Sequence, residues 1–198
     1  MADLVSMAIN FAKGKRGEAI YDPLLKPTAQ TLPAAPPAPV PPLDARMASI
    51  EERRMRTLET STRQFVVGIL AWARANGIPA ILGETHRSLE EQNKEKGKTT
   101  IPEGQTGWHQ YGRAFHLILT KPGTNQLDPT AYKTVGEEVR KRGGEWLGDK
   151  LLVTPEGKKI QDLAHFEYHP GLKLSSYRGT HQARKELALA ERRAARYG

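Results

Sequence analysis

The stretch Gly107-Trp108-His109-Gln110-Tyr111-Gly112-Arg113-Ala114-Phe115-His116-Leu117-Ile118-Leu119-Thr120 changes character halfway along. Its first half is a loop rich in rings and glycine. Its second half, FHLILT at 115–120, is the apolar, β-prone composition of a strand, and a PGTNQ turn at 122–126 ends it. His109 therefore stands at the end of a loop and His116 inside the strand that follows. Gly112 and Ala114 are small enough to let the backbone pass close to a metal or to another strand.

Outward from this stretch, helices and short strands alternate. Met47, Ile50, Leu58, Phe65, Val66, Ile69, Leu70 and Ala73 recur at helical spacing. They predict one long helix from a cap at Asp44 to about Asn76, ended by Gly77. IPAILGETHR at 78–87 reads as a short strand, and 89–108 as a polar loop. Residues 129–142 predict a helix closed by Gly143-Gly144. The segment 151–169 contains a hairpin with Pro155-Glu156-Gly157 at its turn. The fold class expected is α+β: a small antiparallel sheet with packed helices and a cleft, preceded by a Pro-rich tether.

The 198 residues carry a net charge of +8 and no cysteine. Disulfides, thiolate metal sites and cysteine nucleophiles are excluded, so a metal would need His and carboxylate ligands. The positive balance fits a polyanionic partner without choosing one, and no motif points to specific nucleic-acid binding. No run approaches the ~20 apolar residues of a spanning helix, and the N-terminus lacks the order of charges and cleavage site of a secretory signal.

Four regions are expected. Residues 1–26 form an N-terminal anchor segment, with Leu4, Ala8, Phe11 and Ala12 at helical spacing; the alternative is a frayed terminus. Residues 27–45, including PTAQTLPAAPPAPVPPL at 27–43, form a Pro/Ala-rich linker. Residues 46–175 form the main folded domain, and 176–198 a basic helical tail whose charge run reads as a solvated face or, alternatively, a basic contact surface.

Among the six histidines, His109, His116 and His165 stand out by context. Asp162-Leu163-Ala164-His165 puts a carboxylate three residues before the third of them. Three neutral imidazoles with one open position are the usual donor set of a catalytic zinc, and a nearby carboxylate is the usual proton carrier. His169 precedes Pro170 at a strand end and is expected beside the ligands or on the surface. His86 and His181 receive no role.

These segments resemble the VanY-type family of D-alanyl-D-alanine carboxypeptidases and of L-alanyl-D-glutamate endopeptidases found among phage endolysins. That family shows Ser-x-His-x-x-Gly-x-Ala-x-Asp and later carboxylate-x-x-His. His109, Gly112 and Ala114 match the first pattern, Asp162 and His165 the second. Arg87-Ser88 with Gln92 is similar to the family's Arg-Ser-x-x-x-Gln, and Gly143-Gly144-Glu145-Trp146 to the Gly-Gly-Asp-Trp of the endopeptidase branch. The resemblance covers roughly residues 60–170.

It implies a zinc peptidase acting on peptidoglycan stem peptides. His109 and His165 would be ligands and Asp162 the general base. Arg87 would bind substrate or steady the oxyanion, with a structural salt bridge as the alternative, Gln92 would be structural, and Glu145 and Trp146 would line the cleft, with Trp146 in the core as the alternative. Two positions depart from the pattern. Gly107 replaces the serine, and His116 replaces the aspartate ligand. A His at 116 either completes a three-His site or turns away and leaves a degenerate wall-binding or structural virion module. The anchor, tether and absence of a signal suggest a phage product, either a lysin released from the host cytoplasm or an enzyme fixed in a tail or baseplate through residues 1–26.

Overall fold

The apolar spacing predicts one helix from residue 44 to about 76, and the chain forms two. In the computed structural model, which describes residues 45–95 and 98–197, α1 spans Ala45–Thr57 and α2 spans Thr60–Ala75. Glu59 makes the break. Its carboxylate accepts from the backbone N–H groups of Ser61 and Thr62 and caps α2, while its own N–H donates to the carbonyl of Gly112 at 2.9 Å. The expected anchor segment, the linker through residue 44 and the capping Asp44 lie outside the described residues.

Beyond α2 come β1 (Ala80–Leu82), α3 (Leu89–Lys94), a 3-10 turn (Trp108–Tyr111), β2 (Ala114–Leu119) and α4 (Pro129–Lys141). After these follow β3 (Glu145–Trp146), β4 (Leu152–Val153), β5 (Lys159–Ile160), β6 (His165–Glu167), α5 (Leu174–Tyr177) and α6 (His181–Tyr197). The expectation of an α+β domain with a small antiparallel sheet holds. Within the expected loop 89–108, Ser88 and Glu91 form a reciprocal capping box that starts α3.

The strands order as β1-β2-β6-β3, antiparallel throughout, and β4-β5 form a separate hairpin at the expected turn. The register divides the sheet into two faces. Leu82 pairs with Leu117, Ala80 with Leu119, Phe115 with Phe166, and Phe166 with Trp146. These side chains share one face and pack on Val66, Ile69 and Leu70 of α2 and on Tyr132, Val135 and Val139 of α4. Burying each such large apolar side chain is worth ~1.5–3 kcal/mol. Gly136 of α4 is open to Trp146, since a Cβ there would stand 2.2 Å from the indole. The other face carries His116 opposite His165, and Glu145 opposite Glu167.

The tail is not wholly solvated. Ala183, Glu186 and Ala190 of α6 are buried, and Ala183 joins a second cluster with Trp108, Tyr111, Ala114 and Tyr177 on the histidine side of the sheet. Arg113, between the two candidate histidines, is 9% exposed and makes two bonds of 2.9 Å to Glu186. Gly112, at φ +68°, turns the chain between His109 and Arg113 where a Cβ would lie 2.8 Å from the Glu59 nitrogen.

Replacing Glu186 with Ala removes both hydrogen bonds of the buried Arg113 guanidinium and leaves it only the Glu59 carboxylate, 3.9 Å away. We expect a loss of about 3 kcal/mol in denaturant unfolding, and recovery of most of it when Arg113→Met is combined with Glu186→Leu.

Candidate metal centre and cleft

Alternation along β2 and β6 places His116 and His165 side by side on the face opposite the α2–α4 core, and the 3-10 turn brings His109 over them. One ring nitrogen from each lies within 4.8 Å of one from each of the others, a grouping that can hold a metal ion. His116 Nε2 is 3.3 Å from His165 Nδ1. His109 Nε2 is buried and has no hydrogen-bond partner.

The outward nitrogens have partners. His109 Nδ1 donates to the Thr85 carbonyl at 2.8 Å. His116 Nδ1 lies 3.4 Å from Glu84 Oε2. His165 Nε2 donates to Glu167 Oε1 at 2.9 Å. Imidazoles that bind a metal characteristically give their second nitrogen to a carbonyl or carboxylate in this way. Three converging nitrogens and an orphaned buried one among them fit a divalent cation that accepts imidazole, zinc foremost.

The electrostatics suit ligation. Burial, with Arg87 and the two other imidazoles nearby, holds His109 well below its usual pKa, and burial also lowers His116. Both are therefore neutral near pH 7 and need shed no proton to bind a metal. For His165, burial pulls downward, but the bond to Glu167 and the charges of Glu167 and Asp162 outweigh it and raise the pKa.

Asp162 faces the inward nitrogens, with Oδ2 3.7 Å from His116 Nε2 and 3.9 Å from His165 Nδ1. Its Oδ1 accepts from the Ala164 N–H at 3.2 Å, fixing the carboxylate. A cleft of about 370 Å³ opens here, with Arg87, Trp108, Asp162 and the three histidines in its wall and the β4–β5 hairpin along one side. This is the size range of small-ligand sites.

Arg87 lines the cleft, yet Nε and Nη2 both bond Glu84, and Nη1 donates to Gln92 Oε1 at 3.3 Å. Gln92 is 3% exposed, as a structural partner would be. Trp146 and Glu145 depart from the expectation that both line the cleft. Trp146 is paired with Phe166, so it points into the core at 4% exposure and donates Nε1–H to the Leu163 carbonyl at 2.8 Å. Glu145 is on the histidine face but beside the cleft, about half exposed and 3.3 Å from Lys150. Gly107 has a local reason: a Cβ there would press on Ile101 at 3.1 Å.

Two carboxylates in this network were not expected. Glu167 bridges His165 and His169, whose Nε2 it accepts at 2.8 Å; His169 also donates Nδ1–H to the Leu172 carbonyl at 3.1 Å and stacks on Trp108 at 4.3 Å. With Glu145 these form a second grouping able to hold a cation. Period-two spacing from His165 could have found Glu167. Nothing local marks Glu84, which meets His116 only through the pairing of β1 with β2.

No family model and no curated protein matches the chain. Among solved structures it is similar to the L-Ala D-Glu endopeptidase ChiX of Serratia marcescens, with 18% identity, a TM-score of 0.48, and 64% of this chain and 89% of that chain covered. It is also similar to a variant of the vancomycin-resistance D,D-pentapeptidase VanY in complex with Zn(II), with 18% identity, a TM-score of 0.42, and coverage of 61% and 83%.

Burial works to raise the Glu167 pKa, but the bonds from His165 and His169 outweigh it and hold the carboxyl at about 2 against an ordinary 4.5. A depressed carboxylate contributes stability that is complete above its unfolded pKa and lost as pH falls through the folded one. Unfolding free energies of the metal-free protein should therefore decline between about pH 4.5 and pH 2, and Glu167→Gln should flatten that acid limb.

Proposed function

We propose that the protein is a zinc peptidase that hydrolyses peptidoglycan stem peptides, with His109, His116 and His165 as the ligands and Asp162 as the general base. The observation that carries this reading is the convergence of three imidazole nitrogens within 4.8 Å, one of them a buried orphan, beside a free carboxylate oxygen. Zinc held there supplies Lewis acidity and a water that ionises near pH 7.

The chain's own groups do the rest. Asp162 Oδ2 takes a proton from the attacking water and delivers it to the leaving amine, a role supported by its reach to both inward nitrogens. Arg87 presents to substrate carboxylate or carbonyl oxygen the part of its guanidinium that Glu84 and Gln92 do not use; three of its N–H donors make those bonds. Trp108 and the β4–β5 hairpin wall the cleft and limit water around the scissile bond.

The substrate class rests on the motif resemblance, and the Gly-Gly-Glu-Trp segment favours an endopeptidase over a carboxypeptidase. The Pro/Ala-rich stretch before the domain supports a tethered enzyme carried by a phage particle, with tail or baseplate proteins as partners of residues 1–26. Among the described residues no helix is long and apolar enough to cross a membrane.

Purified protein should hold one zinc per chain and release new amino termini from peptidoglycan. His116→Ala should lose both properties. Asp162→Asn should keep the metal and lose activity by roughly 10²–10⁴-fold. A folded wild type that binds no zinc and cuts nothing would sink the enzymatic reading and leave the degenerate wall-binding module in its place.

A further inference from the structure

Three neutral imidazoles would give a divalent cation no negative ligand. The structure does place a carboxylate behind one of these rings, on the side away from the other imidazoles. Glu84 Oε2 stands 3.4 Å from the Nδ1 of His116, on the side of the ring away from His165 and Asp162. We infer that Glu84 is a positioning residue of the metal centre, holding His116 with Nε2 free for the cation and lending the site the negative charge that an aspartate at position 116 would have supplied directly. This inference rests on the zinc site proposed above.

The backbone fixes the pair before any side chain does. The His116 N–H donates to the Glu84 carbonyl at 2.7 Å, and the Gly83 N–H to the His116 carbonyl at 2.8 Å, so the β1–β2 pairing runs on past Leu82. Gly83 permits this approach: a Cβ there would meet the His116 Cβ and carbonyl oxygen, both at 3.2 Å. Arg87 then holds both oxygens of the carboxylate, Oε1 through Nε at 2.7 Å and Oε2, the oxygen nearer His116, through Nη2. Glu84 is thus clamped between a guanidinium and an imidazole, with its side chain 23% exposed.

The geometry gives Glu84 a consequence for His116. A carboxylate accepts hydrogen bonds and cannot donate them, so it favours the tautomer with hydrogen on Nδ1. That tautomer leaves the Nε2 lone pair facing the nitrogens of His165 and His109. A carboxylate behind a ligand imidazole also raises its basicity, and loss of such a partner typically costs 10–100-fold in metal affinity. The same carboxylate joins the cleft-lining Arg87 to the His116 ring.

The test is zinc affinity, measured by competition with a chromogenic chelator, for wild type, Glu84→Ala and Glu84→Gln. Glutamine keeps the size and an acceptor oxygen and removes the charge, so it separates the charge from the shape and guards against misfolding in the alanine variant. We expect the alanine variant to bind zinc 10–100-fold more weakly and the glutamine variant to lose about 10-fold. In the metal-free protein, ¹⁵N–¹H spectra of the His116 ring should move from the Nδ1–H towards the Nε2–H tautomer in Glu84→Ala.

A wild type that binds one zinc, alongside folded variants that bind it equally well, overturns the inference and leaves Glu84 as a partner of Arg87 alone. A wild type that binds no zinc overturns the zinc site itself, and this inference with it.

Discussion

The antiparallel pairing of β2 with β6 sets Phe115 opposite Phe166 and His116 opposite His165. Because side chains alternate across a strand, the two pairs fall on opposite faces of the sheet. One pair enters the core with α2 and α4, and the other opens onto the cleft. A slip of one residue would exchange them, burying two imidazoles under the helices and exposing two phenyl rings. The core therefore fixes the candidate metal site. The apolar face of the sheet can be satisfied in one register only, and that register brings the histidines together.

The second layer of the structure braces this arrangement from the cleft side. The 3-10 turn that carries His109 is held by Gly112 against the α1–α2 corner and by Arg113 against Glu186 of α6. Two segments far apart in sequence, the α1–α2 junction and the C-terminal helix, thus set the height of one imidazole above the other two. A buried ion pair of this kind is costly to leave half-made, which ties the tail to the site although it contributes no donor atom.

Charge in the cleft follows from the same scaffold. The sheet face that holds His116 and His165 also holds Glu167, and the extension of β1 adds Glu84. Each carboxylate is in turn bonded to a second basic group, His169 for Glu167 and Arg87 for Glu84. The histidines are thereby oriented by groups that are themselves fixed, which is the condition for an ordered donor set.

The sequence by itself determined the α+β class, strands β1 and β2 and the β4–β5 turn, and it singled out His109, His116, His165 and Asp162, which the structure brings together. These follow from local composition, spacing and the motif resemblance. It misjudged the break at Glu59, where apolar periodicity continues through a corner that a side-chain cap creates. It left Trp146 open between the cleft wall and the core; the cross-strand partner Phe166 decides for the core. The tertiary structure alone decided the roles of Glu84 and of Arg113–Glu186. Their partners lie 32 and 73 residues away in the chain, and no local pattern encodes a contact that exists only once strands have paired and helices have docked.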